Sequence, residues 1–213
     1  MRGRLGPPSF VSARSDMNLV LETSPASLAD MLFQPVCDHL RIEAGNSTPP
    51  DEAYISACIS AAVSRLDGKE GRLGRCLLTQ EWTLYLDCFP ACIELPLPPL
   101  QEVIHLKYLD TNGNLQTLAT SSYRVSGAGS WRPEISPAYG ETWPDSRSDA
   151  DAVQVRFRAG YGDSEAEIPP PILQAINVMA AHYYVERQPV TFTTPHEIPL
   201  LACDLIAPYR IYR

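Results

Sequence analysis

Residues 153–183 read VQVRFRAGYGDSEAEIPPPILQAINVMAAHY, and within them the apolar period changes from two to nearly four. Val153, Val155 and Phe157 alternate with Gln154, Arg156 and Arg158, the pattern of a half-buried strand. Pro169, Pro170 and Pro171 then open a helix, because proline is tolerated in a first turn whose N–H groups lack intrahelical partners anyway. Ile172, Ile176, Met179/Ala180 and Tyr183 give that helix a core face, and Pro189 bounds it. The chain therefore leaves a β block and returns to helix at this point.

Two more helical segments stand in front of the β block. Ser27 with Asp30 three residues on reads as a capping box opening a short helix. Pro35 is predicted to end it and to restart a helix at its own first position, running to about Glu43 before Gly45. Leu32, Val36, Leu40 and Cys37 share one face of this pair. The second segment begins at Ser47 or Thr48 and Pro49-Pro50, with Asp51 and Glu52 at the positive end of its dipole. Tyr54/Ile55, Cys58/Ile59, Ala62/Val63 and Leu66 form its apolar stripe, and Gly68 and Gly71 end it.

Between the helices, residues 19–23 read as a short strand or arm, and Trp82, Leu84 and Leu86 alternate with Thr83, Tyr85 and Asp87. Val103–Asp110 and Leu115–Leu118 flank Asn112-Gly113, a hairpin signal. Tyr123-Arg124-Val125 is a further strand, whereas 126–151 is Ser-, Gly-, Pro- and Asp-rich and reads as loop, with Trp131, Tyr139 and Trp143 as anchors. The fold class is α+β: a small helical bundle, two N-terminal segments plus a C-terminal helix, with an inserted antiparallel β domain and an extended C-terminal tail. The expected boundaries are a flexible arm at 1–18, helical parts at 19–73 and 163–190, the β domain at 74–162 and a docking tail at 191–213.

Composition narrows the function. Hydrophobic residues make up 45% of the 213-residue chain, enough to build a core, yet the apolar runs fall well short of the ~20 residues that cross a bilayer. Residues 1–16 carry no continuous apolar stretch of the signal-peptide kind, so the six cysteines are expected reduced. Net charge is −8, and with Arg2, Arg4 and Arg14 against Asp16 the rest of the chain carries −10. So acidic a body repels phosphate and argues against high-affinity DNA or RNA binding through a basic footprint.

Catalytic groups do not assemble at working spacing. His182 and Glu186 stand four apart, but His39, His105 and His196 come from unrelated segments, and zinc needs three or four ligands. Cys88 and Cys92 enclose Phe-Pro-Ala, a turn rather than a redox pair. Gly127/Gly129 and Gly160/Gly162 lack the strand-to-helix setting of a phosphate loop. Ser126 and Ser130 have no neighbouring histidine. Glu165 and Glu167 are expected to complement the dipole of the helix that follows.

An ordered series of segments carries a family resemblance: HLRI at 39–42, GRCLLTQEW at 74–82, LDCFP at 86–90, IELPLPPL at 93–100, YLDTNG at 108–113, WP at 143–144, FRAGYG at 157–162, AHYYVER at 181–187 and LIAPYR at 205–210. In this order, over about 19–213, the chain resembles the head–tail connector (adaptor) proteins of long-tailed bacteriophages, the subgroup with a β insertion between helices. Residues 27–34 stand as extra sequence before the usual first helix. The resemblance implies a virion neck protein made in the bacterial host cytoplasm, with no enzymatic activity and no cofactor. It implies a homo-oligomeric ring of about twelve copies. The ring would sit below the portal protein, meet the next neck or tail-completion protein, and surround DNA that passes without sequence-specific binding.

Several residues are candidates for these contacts. Leu205, Ile206, Pro208, Tyr209, Arg210, Ile211, Tyr212 and Arg213 are expected to dock on the portal, or alternatively to fold back on their own subunit. Asp51, Glu52, Arg65, Glu186 and Arg187 are expected at the subunit interface, or on ordinary solvated faces. Trp131, Tyr139 and Trp143 are expected to meet the downstream neck component. The rival reading is a β-rich binding module for carbohydrate or a host surface, with those aromatics as its platform; a metalloenzyme around His182 and Glu186 is a third.

Overall fold

The computed structural model describes residues 18–42, 51–186 and 200–212. Two apolar cores share the chain. One is helical, the other lies in the sheets, and the segment Leu73–Leu78 forms the seam: Leu73, Leu77 and Leu78 face the helices, Cys76 the sheet.

The helices are α1 (Leu28–Met31), α2 (Phe33–Leu40), α3 (Glu52–Leu66), α4 (Pro170–Val185) and α5 (Leu200–Ile206). The Ser27 hydroxyl accepts from Asp30 N at 3.3 Å, so the expected cap forms. The break comes at Leu32 rather than at Pro35, which is the third residue of α2. In a continuous helix the Pro35 ring would clash with the carbonyl four residues earlier, so the chain breaks before it. Helix α2 ends at Leu40 instead of near Glu43, because Arg41 turns left-handed (φ 56°) and its N–H and that of Ile42 close onto Asp38 and Cys37 carbonyls. The start expected for α3 at 47–50 lies outside the described residues. From Glu52 onward its buried stripe is Ile55, Cys58, Ile59, Ala62 and Leu66, as periodicity predicts. Helix α4 starts on the proline triplet with Pro169 as its cap and buries Ile172, Ala175, Ile176, Met179 and Ala180. It packs against α2, α3 and α5.

Glu165 and Glu167 stand just before α4. They form their own 3₁₀ turn under a Ser164 capping box, and the Glu167 carboxylate accepts from Asp163 N at 2.8 Å and Ser164 N at 3.1 Å.

The main sheet is antiparallel, in the order β1 (Asn18–Thr23), β2 (Gln80–Leu86), β8 (Val153–Ala159), β4 (Leu100–Leu109), β5 (Leu115–Thr117). The smaller sheet is β3 (Ile93–Glu94), β7 (Glu134–Pro137), β6 (Tyr123–Ser126). The 19–23 segment is thus an edge strand of the β part, not a lead-in to the helices. The 126–151 segment is not all loop, since β7 lies inside it. Strand β8 sits centrally, its Phe157 opposite Trp82 on β2 and Val103 on β4. At its end, Gly160 adopts φ 134°, where any Cβ would collide with the Leu78 carbonyl; only glycine lets the chain turn here toward the helices.

Candidate functional site

The C-terminal segment folds back on its own subunit. Ala202 and Ile206 are buried against the helical core, and Leu205 and Tyr209 pack at its margin. After α5 a 3₁₀ turn runs over Ala207–Tyr209, and the chain is extended only from Arg210. The Arg75 guanidinium donates from Nε to the Tyr209 carbonyl at 2.6 Å, and Ile211 N donates to the Leu73 carbonyl at 3.0 Å. Burial pushes the Tyr161 phenol up, while Arg75 beside it pulls the other way.

Beyond Tyr209 the fit is loose. A cavity of about 340 Å³ opens between Glu94–Pro96, Trp131–Arg132 and Ile211–Tyr212. A second, of about 280 Å³, is lined by Lys69, Arg72, Leu97, Arg210 and Ile211 among others. Tyr212 is 74% exposed, with the Arg210 guanidinium 4.8 Å from its ring centre. Leu200 and Leu201 are also exposed. The predicted docking residues are thereby divided: Leu205, Ile206 and Tyr209 serve the subunit's own core, whereas Pro208, Arg210 and Tyr212 face outward. Arg213 lies outside the described residues.

The predicted interface residues do not come together as one patch. The Tyr184 hydroxyl donates to Asp51 at 3.0 Å and the Tyr54 hydroxyl to the Tyr183 carbonyl at 3.1 Å, with the Tyr54 and Tyr184 rings 5.8 Å apart. These bonds tie the start of α3 to the end of α4 inside one subunit. Glu52 and Glu186 are exposed at that end; Arg65 is exposed at the other end of α3, and Arg187 lies outside the described residues. The three aromatics also separate. Trp131 is 60% exposed beside the tail, Tyr139 is fully exposed, and Trp143 stacks on Phe89 (4.8 Å, 12°) as part of the sheet core. They offer no shared platform. Among the described residues no three His, Cys, Asp or Glu side chains converge as a metal site.

Two polar arrangements escaped the sequence reading. Asp67, just after α3, accepts from Leu77 N and from Gln80 Nε2, both at 2.7 Å; Gln80 Oε1 in turn accepts from Trp82 Nε1 at 3.1 Å. Burial pushes the Asp67 carboxyl up, opposed by the bonds from Leu77, Gln80 and Gly68. On the outer sheet face Glu81 holds Arg158 and Arg156, each at 2.7 Å, and Arg158 also reaches Glu102 at 2.6 Å. The Arg158 and Arg156 bonds hold the Glu81 carboxyl below the usual glutamate range. A folded-state pKa below the unfolded one gives stability that is present above the ordinary carboxylate range and lost as pH falls through the folded value. Glu81→Gln is therefore expected to cost about 1 kcal/mol at pH 7 and to flatten the acid limb of stability. Urea melts at pH 7 and below pH 4 check this; an unchanged acid slope would refute it.

No family model matches the chain, and no curated protein matches it by sequence. Among solved structures it is similar to a chain of the virion of a native gene transfer agent (GTA) particle, 26% identical with a TM-score of 0.73, covering 92% of this chain and 97% of that one. A chain from the neck of an empty GTA particle, computed with C6 symmetry, is 25% identical (TM-score 0.71; 91% and 96% covered). For the neck of a native GTA particle computed with C12 symmetry the values are 23% and 0.67, with 91% and 96% covered, a likeness of fold.

Proposed function

We propose that this chain is a structural neck protein of a phage-like particle, a non-enzymatic connector that forms a ring of about twelve copies around the DNA exit channel below the portal. The observation that carries the reading is the near end-to-end likeness, helices and β insertion together, to a chain of a gene transfer agent virion. The symmetries of the neck reconstructions, C6 and C12, support the copy number.

In this reading the outward face of the tail, Pro208, Arg210 and Tyr212, is the portal contact. Its inner face holds it in place until a partner competes. One tail contributes little net affinity, since burying each apolar side chain gains about 1.5–3 kcal/mol while ordering each residue costs about 1–2. Around a ring many such tails act together, and avidity makes the contact firm. The helix ends at Glu52 and Glu186, and at Arg65, lie between subunits; Tyr139 faces the downstream neck component, whereas Trp131, which shares a cavity with Tyr212, belongs with the tail.

Electron microscopy of particles carrying this chain is expected to place it as a ring between head and tail; its absence from the neck would overturn the proposal. Deleting 208–213 is expected to weaken binding to an isolated portal ring by at least about tenfold, as avidity is lost. Unchanged binding would remove the tail from the contact.

A further inference from the structure

The helical part and the β part share little surface. The extensive packing among the described residues is helix on helix or strand on strand, and the buried side chains form two clusters, one for each part. Backbone joins them, where the chain crosses at 24–27, at 67–79 and at 160–169. Two packed bodies that meet over a narrow seam are free to move relative to one another unless something spans the seam.

The last two crossings are stitched to each other. Thr79 N donates to the Gly162 carbonyl at 2.9 Å and Tyr161 N to the Leu77 carbonyl at 3.0 Å, while Gly68 N closes on the Arg75 carbonyl at 2.8 Å. These bonds lie within the seam, so they hold the crossings together without bracing one part against the other.

The C-terminal segment does brace them. Upstream it belongs to the helices, through buried Ala202 and Ile206. It then passes over the seam, where the Arg75 guanidinium holds the Tyr209 carbonyl and Ile211 N donates to the Leu73 carbonyl. It ends on the β part: Ile211 and Tyr212 share one cavity with Leu95, Pro96 and Trp131, and Ile211 shares a second with Leu19 and Leu97. Leu19, Leu95 and Leu97 are members of the sheet core.

We propose that residues 210–212 are a strap that holds the β part at a fixed angle to the helices, and that lifting them lets the two parts pivot about the seam. The strap is built to let go. Both cavities beside it stay open and Tyr212 is largely exposed, so detaching it breaks few contacts, whereas Ala202 and Ile206 keep α5 in place. The device resides in the single chain and stands apart from the ring reading. Where that reading also holds, a partner that takes up Arg210 and Tyr212 frees the β part to adjust to the component it meets.

Pulsed electron resonance on the isolated full chain tests it. Nitroxides go on Ser64→Cys of α3 and Thr117→Cys of β5, both exposed positions, with Cys88, Cys92 and Cys203 replaced by serine. Deleting 210–213 is expected to broaden the distance distribution at least about twofold, as the pivoted states become populated. Ile211→Asp keeps the full length but sets a charge against Leu19 and Leu97, and should broaden it likewise. Amides of β8 and α4 should keep their wild-type hydrogen-exchange protection in both variants, which separates pivoting from unfolding. A wild-type width in either variant, a parent chain already as broad as the deletion, or lost protection in β8 or α4 would overturn the strap. None of these results bears on the ring, which the position of the chain in assembled necks decides separately.

Discussion

Truncating Phe157 to alanine is expected to remove about 3–5 kcal/mol of stability, close to what a marginally stable domain possesses. The side chain is fully buried on the central strand of the main sheet, opposite Trp82 and Val103. A cavity opened there cannot collapse easily. Strand β2 pairs with β8 without interruption, β4 closes the other side, and Leu84, Leu106 and Val155 around it have no exposure of their own. Transfer and cavity costs therefore add. Hydrogen exchange should show β2, β4 and β8 amides opening at far lower free energy, with α3 and α4 less affected because their core is separate from the sheet's. A loss below about 1 kcal/mol would contradict the packing described.

Asp67→Ala is expected to cost about 2–4 kcal/mol, although it deletes only a carboxylate. Leu77 N and the Gln80 amide both give their hydrogen bonds to this group, and Gln80 is itself buried. Removing the acceptor leaves both donors unpaired in a dry site, and Gln80 then loosens its hold on Trp82. Asp67→Asn retains one acceptor oxygen and should cost less. The pH dependence runs opposite to that of Glu81: a carboxyl whose folded pKa is raised contributes stability below its unfolded value, lost as pH rises through the folded one. Thermal melts of the three proteins at pH 5 and pH 8 check the ordering; an alanine variant as stable as the asparagine one would refute the role of Asp67. The site joins the end of α3 to the start of β2, so its loss would loosen the helices from the sheet.

What could be read from sequence is what local chemistry dictates. The Ser27 cap, the stripes of α3 and α4, the proline triplet and the Asn112-Gly113 hairpin each express a rule operating within a few residues. The failures are non-local. Strand β7 shows one apolar residue, Ile135, between polar neighbours, and exists because β3 and β6 pair with it from both sides. Strand β1 was legible as extended, but its membership in the sheet depends on a partner some sixty residues away. Asp67 and Gln80 looked like a helix end and a strand start, and only the fold makes them a pair.

The candidate site was partly legible for the same reason. Apolar spacing in 200–212 announced that the segment must bury something, but not against what. Both alternatives apply to different residues: Ile206 turns inward and Tyr212 outward. The aromatics of the 126–151 stretch failed as a group because Trp143 found Phe89, a contact no spacing rule anticipates.

The placement of Trp131 against Ile211 and Tyr212 gives the molecule a built-in optical gauge. Trp82 is enclosed and Trp143 is stacked, so their emission should report little beyond the integrity of the sheet. The remaining indole shares a cavity with the chain's last described residues. Its fluorescence can thus distinguish a subunit whose terminus is stowed from one whose terminus has been taken up elsewhere, with no label attached.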